Sequence, residues 1–139
     1  MNPICTATAH STGDGRNGHV RSDDGFIDLD LRIPKEMGGA GGATNPEELF
    51  AAGYAACFHS ALKLVAGQQK LNVDGTEVSA SIGIGPLEGG GFGLSAALVI
   101  YAPRLDKATA ESLVEEAHKV CPYSNATRGN IEVTLSVVE

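Results

Sequence analysis

The run Leu49 to Phe58 constrains the fold most, because its ten residues carry no charged side chain and are almost all apolar. It follows the sequence Asn-Pro-Glu-Glu at positions 45–48, which is typical of a helix start: asparagine caps helices, proline suits the first turn and glutamate the third position. The pattern predicts a helix that begins here and runs to about Ala66. A helix that is apolar on every face is predicted to be buried. Ten charge-free residues are too few for a bilayer, which needs about 20, so we expect a core helix and no membrane partner.

Alternating apolar and polar residues predict strands on both sides of this helix. Before it, we expect three strands, of which the last two form a hairpin that turns at Asp24-Gly25. After it, we expect two strands joined by a turn, and a closing strand at the C-terminal end. The predicted strands are Ile4–His10, His19–Asp23, Phe26–Ile33, Val78–Ile84, Leu94–Ile100 and Ile131–Val138, with the turn at Pro86–Gly93.

A second helix is predicted after Pro103, with Asp106 as its cap. Its apolar face has helical spacing and consists of Ala110, Leu113, Val114, Ala117, Val120 and Cys121. Pro122 interrupts this helix. The resulting order, β-β-β-α-β-β-α-β, predicts an α+β fold with antiparallel sheets and two main helices. A length of 139 residues fits one domain, residues 1–139.

Charge and the N-terminal sequence exclude several classes of function. Ten basic residues against seventeen acidic ones give a net charge of −7, and the basic residues are scattered along the chain. We therefore expect no nucleic-acid partner. The first residues lack the basic and apolar regions of a secretory signal, which predicts a cytoplasmic protein.

Two glycine-rich stretches resemble phosphate-binding loops only superficially. Gly38–Gly42 precedes the first helix, but Glu47 and Glu48 in its first turn would repel a phosphate. Gly83-Ile84-Gly85 starts like a dinucleotide fingerprint, but glutamate occupies position 88, where that motif requires glycine. We expect turn-forming glycines and no cofactor.

A zinc site is also disfavoured, although two cysteines and two histidines have the composition that zinc prefers. Cys57 and His59 are two residues apart on a helix, about 200° around its axis, so they cannot both face one ion. His118 and Cys121 share a face, but two ligands do not make a site. The prediction is that the protein holds no metal.

The cysteines leave two interpretations open. Cys57 and Cys121 lie among residues that pack, and burial as a small inert hydrophobe is the commoner fate of a free cysteine. Burial also raises the pKa of a thiol, so a reactive Cys57 needs a cation nearby. Arg16, in a glycine-rich loop, is the candidate and Arg21 its rival. An arginine in an apolar site needs a carboxylate in turn, which Glu47 or Glu48 could provide.

Two long motifs resemble the organic hydroperoxide resistance proteins, the Ohr branch of the Ohr/OsmC superfamily. They are residues 44–58, TNPEELFAAGYAACF, and residues 120–130, VCPYSNATRGN; Gly-Arg-Asn-Gly at 15–18 is a weaker third match. The similarity extends over essentially the whole chain. It implies an entwined homodimer, with Cys57 as the peroxidatic cysteine and Cys121 as the resolving one. It also implies that Arg16 is the catalytic arginine and Glu47 the carboxylate that holds it.

The resemblance further implies a thiol peroxidase that reduces alkyl and fatty-acyl hydroperoxides to alcohols. Cys57 would become a sulfenic acid and then form an intramolecular disulfide with Cys121. Electrons would come from dihydrolipoyl groups on lipoylated proteins. Two alternatives remain: an OsmC-like peroxidase of different substrate preference, and a non-enzymatic small-ligand-binding dimer with inert cysteines. The family suggests no role for Cys5 or His59.

Overall fold

The computed structural model describes residues 1–139, and the chain divides into two compact units, Met1–Leu49 and Phe50–Glu139. The single domain expected from the chain length stays a prediction. Each unit contains one three-stranded sheet. With three helices besides these sheets, the structure confirms the α+β class.

The first unit contains an antiparallel sheet in the order β1-β2-β3, with β1 at Ala9–Thr12, β2 at His19–Ser22 and β3 at Asp28–Asp30. The predicted hairpin turn is confirmed: the Gly25 N–H donates to the Ser22 carbonyl at 2.9 Å, and Gly25 has a φ of 76°.

The boundaries of the outer strands differ from the prediction. The first was expected at Ile4–His10, but residues 1–8 form no strand, and Ile4 is fully exposed. The third is shorter than Phe26–Ile33, and Phe26 is 91% exposed. Ile4 and Phe26 are left uncovered, although Leu31 in the second segment is buried, and burial is what stabilises a strand with an alternating pattern.

Helix α1 spans Pro46–Gln68. Its start is confirmed, because the Asn45 side chain accepts a hydrogen bond from the Glu48 N–H at 2.9 Å. It ends two residues later than predicted, and Lys70 takes up the left-handed conformation that follows the helix, with a φ of 57°.

The expectation that α1 is buried all round is wrong. Only one face is covered, by the core of the second unit, and the opposite face, which includes Ala52 and Ala56, is exposed. The buried residues are Tyr54, Phe58, Ala61, Leu62, Val65 and Ala66. By length and composition alone, α1 is long and apolar enough to cross a membrane. An 18-residue segment of this helix has a mean hydropathy of 1.4, and a third of that segment is buried inside the protein.

The second unit contains β4 at Glu77–Pro86, β5 at Phe92–Tyr101 and β6 at Glu132–Val138, in the order β4-β5-β6. β4 and β5 are antiparallel, as predicted, but β6 runs parallel to β5. Two helices, α2 at Lys107–Val120 and α3 at Pro122–Thr127, lie between these strands in sequence. A parallel pair needs a long crossover, and these helices supply it.

The core of this unit lies between the buried face of α1, the centre of β5 and the inner face of α2. The residues predicted for the apolar face of α2 are buried except Val120, which is 47% exposed. The predicted cap, Asp106, accepts a hydrogen bond from the Thr109 N–H. α3 is an additional helix that the predicted order of elements did not include. The largest buried side chains are Tyr54, Phe58, Leu62, Leu98, Ile100 and Leu113, together with Cys121 and Ser124.

Candidate functional site

Cys57 lies on α1, three residues after Tyr54, whose side chain is fully buried. Residues at this spacing share a helix face, so the packing of Tyr54 fixes the direction in which Cys57 points. The thiol is half-buried and reduced.

Cys121 lies at the junction of α2 and α3 and is completely buried. It is the C-cap of α2 and the N-cap of α3, because Pro122 cannot continue the first helix and is well suited to open the second. Its Sγ accepts a hydrogen bond from the Ser124 N–H at 3.5 Å.

The structure brings these two cysteines together. Cys57 Sγ and Cys121 Sγ are 3.7 Å apart, although 64 residues separate them in sequence. Both thiols are free, so the structure represents the reduced state of the pair. At this separation, modest side-chain rotation brings the sulfurs to the bonding distance of about 2.05 Å.

The pKa of the Cys57 thiol lies above its ordinary value. Burial is the main cause, since it disfavours the charged thiolate, and the neighbouring Cys121 raises the pKa further. A hydrogen bond from the backbone of Tyr123 acts in the opposite direction. Within the Phe50–Glu139 unit no cation lowers the pKa of Cys57, so this unit alone leaves Cys57 protonated at neutral pH.

Arg16 and Glu47 form a two-pronged ion pair within the first unit. Arg16 Nη1 donates to Glu47 Oε2 at 2.8 Å, and Nη2 donates to Oε1 at 2.7 Å. These hydrogen bonds hold the pKa of Glu47 below its usual range and raise the pKa of Arg16. Glu48, the other candidate carboxylate, instead accepts a bond from Thr44 Oγ1.

The loop that carries Arg16 is a 3-10 turn, Gly15–Asn17. It closes against the end of β1 because Gly18 has no side chain: a Cβ there would collide with the carbonyl oxygen of Thr12. The rival arginine, Arg21, lies on β2, and its Nε is 3.8 Å from Asp28 Oδ2. Arg16 is therefore the arginine that has the predicted carboxylate as its partner.

The two histidines considered as metal ligands, His59 and His118, do not form a metal site with the cysteines. His118 Nδ1 is hydrogen-bonded to Ser124 Oγ at 2.8 Å, and His59 Nε2 is buried without a partner. Burial lowers the pKa of both rings. No three His, Cys, Asp or Glu side chains are grouped so as to hold a metal ion.

The sequence analysis missed one buried polar group next to the cysteines. The hydroxyl of Tyr54 is 2.9 Å from Ser124 Oγ and 3.1 Å from Thr127 Oγ1. The signal was present in the sequence as two hydroxyl residues spaced by three directly after Cys121. It was overlooked because nothing local shows that their partner is a tyrosine 70 residues earlier.

Comparison with known proteins identifies the family. The sequence model of the OsmC-like protein family matches residues 39–136. The organic hydroperoxide resistance protein of Xanthomonas axonopodis pv. citri (strain 306) is 55% identical over 136 residues, covering 96% of this chain and 94% of that protein. The chain belongs to the OsmC/Ohr family.

Solved structures of OsmC/Ohr proteins agree with this assignment. A crystal structure of an organic hydroperoxide resistance protein from Elizabethkingia anophelis has a TM-score of 0.94 at 52% identity, covering 100% of this chain and 99% of that one. One from Legionella pneumophila has a TM-score of 0.94 at 48% identity, covering 99% and 100%. The resemblance drawn from the two motifs is thereby confirmed. The chain is an OsmC/Ohr redox protein of organic hydroperoxide resistance and the oxidative stress response.

Proposed function

We propose that the protein is a cysteine-based peroxidase that reduces alkyl and fatty-acyl hydroperoxides to alcohols. The 3.7 Å separation of Cys57 Sγ and Cys121 Sγ carries this proposal. A peroxidase that passes through a sulfenic acid needs a second thiol within reach, whereas two inert core cysteines have no reason to lie sulfur to sulfur.

In the first step, the Cys57 thiolate attacks the terminal oxygen of the hydroperoxide. The O–O bond breaks, two electrons pass from sulfur to oxygen, and the departing alkoxide takes up a proton to become the alcohol. Cys57 is left as a sulfenic acid. Only the thiolate reacts at a useful rate, so the raised pKa of Cys57 has to be overcome.

In the second step, Cys121 attacks the Cys57 sulfur as a thiolate. The S–S bond forms, the S–O bond breaks, and the departing hydroxide takes up the proton that the Cys121 thiol released and leaves as water. The Ser124 N–H, which donates to Cys121 Sγ, holds the attacking sulfur in position. The step also protects Cys57 from irreversible over-oxidation by a second peroxide.

We assign activation of Cys57 to Arg16, held in place by Glu47. A guanidinium beside the sulfur lowers the thiol pKa and can donate hydrogen bonds to the peroxide oxygens. Glu47 and Cys57 lie ten residues apart on α1, about 15 Å along the axis of a continuous helix. We therefore propose that the Arg16–Glu47 pair serves the Cys57 of a partner subunit in a homodimer.

The exposed face of α1 supports a homodimer. Ala52, Ala56 and Ser60 lie on this face at a spacing of four residues, and their small side chains permit another backbone to come close. A second copy of the chain would cover this face, complete the burial that the sequence predicted for α1, and produce the entwined dimer expected from the family resemblance.

We take the reductant to be a dihydrolipoyl group on a lipoylated protein. Its two thiols reduce the Cys57–Cys121 disulfide by exchange, and the group itself becomes a cyclic disulfide. Resting cysteines stay reduced in the cytoplasm, which is where we place the protein.

The proposal is tested by mixing the reduced protein with tert-butyl or cumene hydroperoxide. We expect one equivalent of alcohol, loss of two thiols and a Cys57–Cys121 disulfide in a peptide map, and no alcohol from Cys57→Ser. A wild-type protein that leaves alkyl hydroperoxides unchanged would support the non-enzymatic ligand-binding dimer instead. Faster turnover of hydrogen peroxide than of a lipid hydroperoxide would support the OsmC-like peroxidase of different preference.

A further inference from the structure

A buried chain of hydroxyl groups connects the three helices around the cysteine pair. Tyr54 on α1 and Ser124 on α3 are fully buried, and Thr127 is 5% exposed. Tyr54 Oη is hydrogen-bonded to both Ser124 Oγ and Thr127 Oγ1, and Ser124 Oγ is also bonded to His118 Nδ1 on α2.

Each hydroxyl in the chain can be satisfied at once. In an arrangement that satisfies them all, Tyr54 donates to Ser124, Ser124 donates to the unprotonated Nδ1 of His118, and Thr127 shares its proton between Tyr54 and the Ser124 carbonyl oxygen, 3.3 Å away. Burial holds the pKa of His118 below its usual value, which keeps the ring in the neutral form that accepts this bond. A fully satisfied buried network is rigid, because breaking any link leaves a polar atom without a partner.

Each of the two residues joined by the Tyr54–Ser124 bond is linked to one of the cysteines. Tyr54 lies one helical turn before Cys57 on α1. Ser124 donates its backbone N–H to Cys121 Sγ and shares its hydroxyl with Tyr54. The bond therefore joins the helix that carries Cys57 directly to the residue that holds Cys121.

We infer that Tyr54, acting through Ser124, is a positioning residue for closure of the Cys57–Cys121 disulfide. It holds α1 against α3 so that the two sulfurs stay 3.7 Å apart. The attack of Cys57 on peroxide uses neither hydroxyl, so Tyr54 affects the second chemical step and not the first. This inference deepens the proposed peroxidase function and rests on it for its biological meaning, but the geometry can be tested separately.

The test uses Tyr54→Phe, which keeps the ring and removes only the hydroxyl. Ser124→Ala, which keeps the backbone N–H, is the second variant in case the first does not fold. Tyr101→Phe, at the exposed C-terminal end of β5, is the matched control. All proteins carry Cys5→Ser, because Cys5 is an exposed third thiol that would blur the thiol count.

Closure is first measured with diamide, a diazene that accepts two electrons and two protons from the thiol pair and needs no peroxide chemistry. We expect Tyr54→Phe and Ser124→Ala to close the disulfide about tenfold more slowly than wild type, the equivalent of one lost hydrogen bond, and Tyr101→Phe to match wild type. With cumene hydroperoxide, the rate of sulfenic-acid formation should stay within about twofold of wild type, since no hydrogen bond of that step is lost. The sulfinic form should accumulate in both variants, seen as added mass on Cys57.

Diamide closure by Tyr54→Phe at the wild-type rate overturns the inference. The inference is also overturned if Tyr54→Phe slows sulfenic-acid formation and disulfide closure to the same extent and lowers the melting temperature as well. That combination is expected of a residue needed only for folding. If wild type forms no sulfenic acid with alkyl hydroperoxide, the proposed function fails, and the diamide comparison alone still decides whether Tyr54 positions the sulfurs.

Discussion

The ring of Tyr123 lies directly on Gly53 of α1, so close that a Cβ at Gly53 would be 2.9 Å from Tyr123 Oη and 3.2 Å from its Cε2. Glycine usually weakens a helix interior, by about 1 kcal/mol relative to alanine. Here it makes room for the residue whose backbone is hydrogen-bonded to Cys57. The close approach of α3 to α1 therefore depends on the absence of a side chain at position 53.

Gly53→Ala should bring no gain in stability, because the overlap with the Tyr123 ring offsets the better helix propensity. Gly67, on the same helix, has open space around its missing side chain and is the matched control. We expect Gly67→Ala to raise the free energy of unfolding by about 0.5–1 kcal/mol, and Gly53→Ala to leave it unchanged or lower it. Urea unfolding curves give both values. Equal stabilisation by the two substitutions would mean that Tyr123 moves aside freely.

Cys121→Ser should allow one reaction with hydroperoxide and then leave the protein trapped in an over-oxidised form. Without a second thiol beside Cys57, the sulfenic acid is exposed to further peroxide and proceeds to the irreversible forms. Mass spectrometry after a tenfold excess of peroxide should show sulfinic or sulfonic Cys57 in the variant and a disulfide in wild type. Cys5→Ser is the control and should behave as wild type. Sustained turnover by Cys121→Ser would remove the resolving role of that cysteine.

Arg16→Gln should lower the peroxidase rate at neutral pH and shift its pH profile upward. Burial raises the pKa of Cys57, and without the guanidinium less thiolate is present at pH 7. A pKa higher by one unit gives about tenfold less thiolate, and the lost rate returns as pH rises through the new pKa. Thiolate absorbance in the ultraviolet measures the same titration. Arg21→Gln, which removes an arginine exposed on β2, should leave both profiles unchanged.

Subunit mixing tests whether Arg16 serves the partner's Cys57. In the proposed homodimer, Cys57→Ser alone and Arg16→Gln alone each leave no complete site. In a mixed dimer, the intact arginine of one subunit would meet the intact cysteine of the other. When equal amounts are refolded together, half of the dimers are mixed, and each mixed dimer has one complete site out of two. About a quarter of wild-type activity should therefore return. No recovery, with mixed dimers present by native mass spectrometry, would place the whole site within one chain.

His19 should titrate above the ordinary histidine range. Its ring is bonded to Asp30 and Asp28, at 2.7 and 2.5 Å, and these bonds raise its pKa, the one to Asp30 most. Because the pKa is raised, these bonds stabilise the fold fully at pH values below the unfolded-state pKa of about 6.5. This stabilisation is lost as the pH rises through the folded-state pKa. An NMR titration measures the folded pKa. Asp30→Asn should bring it down, whereas Asp23→Asn, which removes a carboxylate bonded to His10, should not.

The sequence predicted those elements whose cause is local. The Asn45 cap, the turn at Gly25 and the Asp106 cap each depend on side chains within three or four residues, and the structure confirms all of them. The motifs likewise identified the family. Spacing alone could not bring Cys57 and Cys121 together, because their separation depends on how α1 packs against α3.

What could not be predicted depends on partners distant in sequence. The parallel pairing of β6 follows from the path of the α2–α3 crossover, not from the residues of the strand. The exposed face of α1 carries the same apolar pattern as a buried one, so the pattern cannot say whether this chain or another covers it. The bond between Tyr54 and Ser124 was missed because the two residues are 70 positions apart in sequence.

The crossover that pairs β6 with β5 also separates the two cysteines in the order of synthesis. Cys57 is synthesised 64 residues before Cys121, and β6 follows Cys121 in sequence. At roughly 5–20 residues per second, several seconds pass between the synthesis of the two cysteines. During that interval the nascent chain carries Cys57 without Cys121, so a Cys57 oxidised at that stage has no partner thiol with which to close the disulfide.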